Sequence, residues 1–334
     1  MHTGQQITFD FQSPQEAEFP PLVQLALMHY ICNSRCKKCP VGLVNRGEMG
    51  QDKKGEFDPK KKQFLPFELF RKVADEMGEH PWSILRFHGR GEPLLHPNYV
   101  EMISYGKQAG VGTITSFTNA IILNKEMAEA ILDAGLDLLE LSIDTYSEEA
   151  YRDFRGTDYF HQVVENALNF IRLRNSRGSN TKTRVIVSAV DCPEFQPEKE
   201  AFQKFWEARA DAVIFRPYHT YGGRLPAIPI CQLVETVPCS QLWTRFSINP
   251  WGQVNACFND WADEEIVGDL TKLDQTIAKI WRSQKFESIR QASLAGQSIL
   301  KCCKTCLATK AGWVYTYQLL IQKLKAESPN LNLK

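Results

Sequence analysis

Ten cysteines lie unevenly along the 334 residues. Cys32, Cys36 and Cys39 fall close together with the spacing C-x3-C-x2-C. Cys302, Cys303 and Cys306 gather near the carboxyl end, Cys239 and Cys257 stand between, and Cys192 and Cys231 are isolated. A loop presenting three thiolates can wrap a metal centre, yet a structural zinc site takes four protein ligands. No His or Cys follows Cys39 closely enough to complete a tetrahedron, although His29 precedes the loop. Three thiolates suit an iron–sulfur cube with one iron left open, and an open iron is a place for substrate or cofactor. A zinc knuckle with a distant fourth ligand, or three unrelated thiols, are the alternatives, because spacing alone does not exclude zinc.

The elements that must hold this loop follow a regular pattern. Residues 22–31 (LVQLALMHYI) are apolar behind Pro20-Pro21, which predicts a buried strand ending at the cysteines. A helical pattern from Pro66 to about Met77 leads to a short strand at 83–88 that runs into Gly89-Arg90-Gly91-Glu92-Pro93. Pro97 starts another helix. Strands at 112–118, 138–143, 184–190 and 212–216 then alternate with helical patterns at 124–134, 147–154, 161–175 and 198–209. Such alternation predicts parallel βα units, and six strands suit an open or partial barrel. Active sites in these folds lie at the carboxyl ends of the strands. The cysteine loop, the Gly-Arg-Gly-Glu-Pro turn, Thr118-Asn119 and Ser142/Asp144 all fall there. Residues 217–238 are rich in Pro and Gly and read as a connecting segment. A hairpin at 246–258 around Asn249-Pro250-Trp251-Gly252, a helix over about 274–294 and another after Cys306 make a small second module. The expected division is an N-terminal extension (1–21), a core (22–216), the connecting segment (217–238) and a C-terminal module (239–334).

Composition narrows the function classes. The 39 basic and 39 acidic side chains cancel, so no global charge favours nucleic acid. Lys53-Lys54 and Lys60-Lys61-Lys62 share one polar stretch and read as a solvated loop. No apolar run reaches the roughly 18 residues of a membrane helix. Residues 1–19 show neither a basic start nor an apolar core, so the expectation is a cytoplasmic protein with reduced thiols.

Taken in chain order, these motifs resemble the radical S-adenosylmethionine (SAM) superfamily, whose hallmark is the C-x3-C-x2-C loop after the first strand. The resemblance implies a partial (β/α)6 barrel of α/β class. Cys32, Cys36 and Cys39 would hold a 4Fe–4S cluster whose open iron chelates SAM. The family commonly has an aromatic residue before the last cysteine, near the adenine; here it is Lys38. The family's GGEP motif resembles Gly89-Arg90-Gly91-Glu92-Pro93, with Gly91 and Glu92 carried over as contacts to the SAM amino group. Thr118-Asn119-Ala120 resembles the third-strand TNG element, Ser142-Ile143-Asp144 the fourth-strand SID element, and Arg155-Gly156 the pair that follows. In relatives such side chains contact the ribose and carboxylate of SAM, and Ser188 on the next strand is a further candidate. Each match alone is an ordinary turn or strand end; their order at successive strand ends carries the weight.

The C-terminal cysteines resemble the "twitch" extension, a shortened SPASM domain. On that resemblance Cys239, Cys257, Cys303 and Cys306 would hold one auxiliary 4Fe–4S cluster, with Cys302 beside Cys303 leaving open which thiolate binds; four thiolates also suit zinc. The implied chemistry is cleavage of SAM to a 5′-deoxyadenosyl radical and hydrogen abstraction, fed by a flavodoxin- or ferredoxin-type reductant. An auxiliary cluster favours oxidation of a sugar, aminocyclitol or similar small molecule. The alternative is epimerisation or modification of a sugar or short peptide, with Cys231, Cys192 or Cys302 returning a hydrogen atom and Cys231 the best placed. Arg216, Tyr218, His219, Tyr221, His88 and His96 are the candidate substrate contacts. An electron-transfer protein would not need the ordered SAM motifs, and neutral charge argues against a zinc-stabilised binding module.

Overall fold

The computed structural model of the chain describes residues 11, 13–48, 62–221, 224–226, 239–261, 263–297 and 300–303. The strands are β1 (Leu22–Leu25), β2 (Met28–His29), β3 (Gln63–Phe64), β4 (Ile84–Phe87), β5 (Thr113–Thr118), β6 (Leu138–Ser142), β7 (Arg184–Asp191), β8 (Ala212–Pro217), β9 (Phe246–Ile248), β10 (Gln253–Asn255) and β11 (Ile266–Asp269). The helices are α1 (Pro14–Glu18), α2 (Pro40–Arg46), α3 (Phe67–Gly78), α4 (Tyr99–Gln108), α5 (Lys125–Ala134), α6 (Glu148–Arg155), α7 (Phe160–Ser176), α8 (Lys199–Glu207), α9 (Gln241–Thr244), α10 (Ile277–Trp281) and α11 (Gln284–Leu294). None of the described helices is long and apolar enough to cross a membrane.

Strands β1, β4, β5, β6, β7 and β8 lie side by side and parallel, in chain order, giving the six-stranded βα arrangement expected from the sequence. Side-chain alternation explains why each strand can be buried on both faces. Val23, Leu25, Leu85, Phe87, Ile114, Leu139, Leu141, Val185 and Val187 join the large core with the helices. Their alternate neighbours, including Gln24, Arg86, Thr115, Phe117, Glu140 and Ser188, are buried on the other, concave face. Apolar residues close the base of that face, with Leu22 against Ile84 and Leu138 against Ile186.

Three features depart from the sequence expectation. The apolar run 22–31 is two strands: β1 belongs to the main sheet, while β2 pairs antiparallel with β3. Every residue from Leu22 to Tyr30 is buried, so hydrophobicity carries no mark of the break, and Tyr30 turns the chain with φ 54°. The hairpin β9–β10 forms where expected, but β9 pairs parallel with β1, so that β9, β10 and β11 extend the main sheet. The single helix expected over 274–294 is α10 followed by α11, because the Ser283 hydroxyl accepts from the Phe286 amide at 3.2 Å and starts a new helix. Helix α3 grips this end of the chain. Glu76 accepts from the Ile277 and Ala278 amides at 2.8 and 2.9 Å, capping α10, and Lys72 donates to the Leu270 and Lys272 carbonyls at 2.8 Å each.

Candidate active site

The cysteine loop is fixed by backbone contacts on three sides. The Tyr30 amide donates to the Arg90 carbonyl at 2.7 Å, Ile31 bridges Gly91, and the Glu92 amide donates to the Ile31 carbonyl at 2.9 Å. Gly91 is required by this approach: a Cβ there would stand 2.5 Å from the Ile31 oxygen and 2.4 Å from Met28 Cγ. On the second side, Cys39 caps α2, and a Cβ on Gly42 would lie 2.2 Å from the Cys36 oxygen, so only glycine lets the helix sit against the loop. The Asn45 amide group donates to the Cys32 and Ser34 carbonyls at 3.2 and 2.9 Å. On the third side, the Arg35 and Lys37 amides donate to the Arg155 and Phe154 carbonyls at 3.0 and 2.9 Å, tying the loop to the end of α6.

Cys32, Cys36 and Cys39 open on one cavity of about 170 Å³ at the carboxyl ends of β4, β5 and β6, whose wall includes Gly91, Glu92, Thr118, Asn119, Ser142, Asp144 and Arg155. Glu92 is buried and accepts from the Asn119 and Leu94 amides at 2.8 and 3.2 Å. Burial outweighs these bonds and pushes its carboxyl up to about 7. The Asn119 side chain donates to Asn33 Oδ1 at 2.7 Å and reaches Cys32 Sγ at 3.8 Å. Arg155 is paired with Asp144 at 2.5 Å, donates to the Ser142 carbonyl and hydroxyl, and donates to Cys36 Sγ at 3.4 Å. Burial works against the Arg155 charge, but Asp144 and Cys36 hold its pKa above the ordinary value. Asp144, with φ 69°, also accepts from the Val190 amide at 2.8 Å.

These residues fit an iron–sulfur cluster. Cys36 Sγ meets the Ser34 hydroxyl at 3.1 Å as well as Arg155, and Cys39 faces the Gly42 and Val41 amides at the start of α2. Donors aimed at thiolate sulfurs stabilise and tune bound clusters. Burial raises the Cys39 thiol to about 12. A metal reverses that preference, because a coordinating thiol is deprotonated outright.

The second cysteine group is partly described. Cys302 neighbours both Cys257 and Cys303, and its hydrogen bond draws the Cys303 thiol down to about 7. The Cys239 amide donates to Ser293 at 3.0 Å. Cys306, the remaining expected ligand, and Cys231, the expected hydrogen donor, lie outside the described residues. The loop after Cys257 reaches the cavity, where Trp261 forms part of the wall. Arg90 holds that loop: its guanidinium donates to both Asp263 oxygens at 2.6 and 2.8 Å and to the Asp260 carbonyl at 2.9 Å.

Sequence reasoning missed Arg90 and Trp261 as site residues. Arg90 sits within the Gly-Arg-Gly-Glu-Pro turn at φ 59°, and an arginine in such a turn was the available signal. Ser188 is buried and does not form part of the cavity wall; its carbonyl accepts from the Ile143 and Asp144 amides. Lys38 lines the cavity with its ammonium 2.9 Å from Glu194 and 5.2 Å from the centre of the Tyr218 ring. His96 bonds to Leu65 and Asn98, away from the cavity, and Cys192 is packed in the main core, where burial lifts its thiol to about 12. His88 and Tyr221 line the cavity; burial and the nearby arginines hold His88 neutral, well below the usual histidine range.

Residues 27–188 match the radical SAM superfamily, and residues 239–307 match the SPASM iron–sulfur cluster-binding domain. Among curated proteins, a GTP 3′,8-cyclase of Chlorobaculum tepidum is 39% identical over 80 residues, 24% of each chain. A tungsten-containing aldehyde ferredoxin oxidoreductase cofactor-modifying protein of Pyrococcus furiosus is 30% identical over 114 residues, 34% of this chain and 28% of that one. The matches thus span about a quarter of these relatives' length. The solved structure of BtrN in complex with AdoMet and 2-DOIA shares the fold, with a TM-score of 0.54 and 16% identity over 86% of this chain and 92% of that one. The two domain matches bring SAM, a 4Fe–4S cluster and auxiliary iron–sulfur binding as cofactors. The chain belongs to the radical SAM superfamily and carries a SPASM domain behind its core.

Proposed function

We propose that this radical SAM enzyme oxidises a small molecule, a sugar, aminocyclitol or related compound, by removing a hydrogen atom and then an electron and a proton. When bound, SAM and the cluster supply a 5′-deoxyadenosyl radical able to take hydrogen from an unactivated carbon, and an auxiliary cluster supplies an electron acceptor. Cys32, Cys36 and Cys39 hold the first cluster. Glu92 receives the SAM ammonium, while Thr118, Asn119, Ser142, Asp144 and Arg155 orient its ribose and carboxylate. Cys239, Cys257, Cys303 and Cys306 hold the second cluster. Phe117, Phe154, Val190 and Trp261 wall the cavity with apolar surface that excludes water.

The observation that supports oxidation is the Arg90 clamp. The loop leaving Cys257 is locked to the turn that carries Glu92, and Trp261 from that loop faces the same cavity as the first three cysteines. The loop that leaves Cys257 thereby contributes Trp261 to the wall of the reaction chamber. A reductant of flavodoxin or ferredoxin type would supply the starting electron. The test is an anaerobic iron count and electron paramagnetic resonance on the variant with Cys32, Cys36 and Cys39 all replaced by Ala. Half of the wild-type iron, in a reducible 4Fe–4S cluster, is expected. No iron, or as much as in the wild type, overturns the assignment of two clusters. With a turned-over substrate, a product lighter by two hydrogens marks oxidation, whereas unchanged mass with solvent deuterium incorporated marks epimerisation.

A further inference from the structure

Among the described residues, a single cationic side chain hydrogen-bonds to a sulfur of the first cysteine group. Arg155 Nη1 donates to Cys36 Sγ at 3.4 Å, while its Nη2 lies 2.5 Å from Asp144 and also donates to the Ser142 carbonyl and hydroxyl. The other two sulfurs have neutral donors: the Asn119 amide group reaches Cys32, and the Gly42 and Val41 amides face Cys39. The side chains of Arg155 and Asp144 are 7% and 5% exposed, so little salt or water screens their charges. Arg155 Nε is buried without a hydrogen-bond partner. A guanidinium kept at that cost, with one arm on a cysteine ligand and the other on a carboxylate, points to a role in which its charge matters.

The end of α6 adds a neutral donor to the same sulfur. The Arg155 carbonyl accepts from the Arg35 amide at 3.0 Å and from the Ser34 hydroxyl at 3.3 Å, and that hydroxyl stands 3.1 Å from Cys36 Sγ. A hydroxyl has one proton to give, and a thiolate sulfur, having none, can only accept it. The Arg155 carbonyl keeps the Arg35 amide when the hydroxyl turns to the sulfur. We propose that Arg155 sets the reduction potential of the cluster held by Cys32, Cys36 and Cys39, its positive charge favouring the reduced form and Asp144 limiting that effect. This rests on the radical SAM reading above, in which Arg155 also orients SAM, and adds a second task for the same side chain, exerted through Cys36. Reduction adds one electron to the cluster, so a nearby cation favours the reduced form over the oxidised one; net charge and hydrogen bonds to the sulfurs are what set such potentials. At an effective permittivity of about 20, a unit charge a few ångströms away changes a one-electron equilibrium by well over tenfold, and the Asp144 charge offsets part of that.

The experiment is a potentiometric titration of the reconstituted, SAM-free chain, followed by electron paramagnetic resonance. The signal that disappears when Cys32, Cys36 and Cys39 are replaced by Ala belongs to the cluster in question. Arg155→Gln should make this cluster at least about tenfold harder to reduce, a shift of about 59 mV to lower potential for one electron. Arg155→Lys, which keeps the charge, should recover most of that shift. Asp144→Asn, which keeps the shape and removes the opposing charge, should move the potential the other way, by at least about threefold in the same equilibrium. A general loosening of the site would move both variants in the same direction. An Arg155→Gln cluster reduced as easily as that of the wild type, or an Asp144→Asn cluster no easier to reduce, overturns the proposal; where Arg155→Gln assembles no cluster, the Asp144→Asn result decides. Failure of the enzymatic reading looks different, because no reducible signal is then lost with the three cysteines.

Discussion

Replacing Arg90 tests how the two halves of the site are joined. The Arg90 side chain is 6% exposed and that of its partner Asp263 21%. Breaking a buried ion pair by deleting one partner costs about 3–5 kcal/mol. Water reaching the partly exposed Asp263 reduces that, so Arg90→Ala should destabilise the chain by about 2–3 kcal/mol. Arg90 also holds φ 59°, a conformation costing a side chain about 1–2 kcal/mol relative to glycine. Arg90→Gly sheds that strain and should cost about 1 kcal/mol less than Arg90→Ala. Urea denaturation of the wild type, Arg90→Ala, Asp263→Ala and the double variant, followed by far-ultraviolet circular dichroism, gives the pairwise coupling. A coupling of about 2 kcal/mol is expected. Additive effects, with coupling below about 0.5 kcal/mol, would refute the clamp. The pH dependence has a definite sign. Burial opposes the Asp263 charge, yet the Arg90 hydrogen bonds hold its pKa below the ordinary 3.8. The resulting stability is present above pH 3.8 and lost as pH falls through the lower folded value, and Arg90→Ala should lose this acid-side dependence.

Two further perturbations probe the SAM-side wall. Gly91→Ala forces a Cβ to within 2.5 Å of the Ile31 carbonyl, so it should cost about 1–3 kcal/mol in urea unfolding and weaken SAM binding; wild-type values for both would show that the close approach is not needed. Glu92 holds its proton up to about 7 in the folded chain, against 4.5 when unfolded. The folded state therefore binds more protons between these values, and stability falls by about 3 kcal/mol as pH rises through them. Glu92→Gln should flatten that slope in urea titrations of the SAM-free chain from pH 4.5 to 7, and an unchanged slope would assign the dependence to another group.

What the sequence revealed depended on how local each signal was. The cysteine loop was legible because three cysteines in one short loop are a complete statement of spacing. Glu92, Asn119 and Asp144 were legible as positions because each follows a strand, and the parallel sheet brings strand ends to one wall, whereas Arg155 was marked only by the Arg-Gly pair that ends α6. Their partnerships were not. Arg155 meets Asp144, Ser142 and Cys36 only because α6 folds back over the cysteine loop. Arg90 meets Asp263 across 173 residues, and no local pattern relates them. Likewise β9 is three residues, Phe246–Ile248, whose hairpin was plain but whose choice of β1 as neighbour depends on the tertiary edge available. The arginines on the concave face were scattered through strand patterns that read as apolar, and only the alternation of the folded strands gathers them around Phe117.

The central claim is that Cys32, Cys36 and Cys39 support radical cleavage of SAM. The most direct measurement is anaerobic reconstitution with iron and sulfide, reduction with dithionite, and chromatography for 5′-deoxyadenosine, with and without candidate sugar and aminocyclitol substrates. The nucleoside should form with the wild type and disappear when the three cysteines are replaced by Ala. Nucleoside at equal yield from that variant, or a wild type that binds zinc but no iron and yields none, would contradict the account.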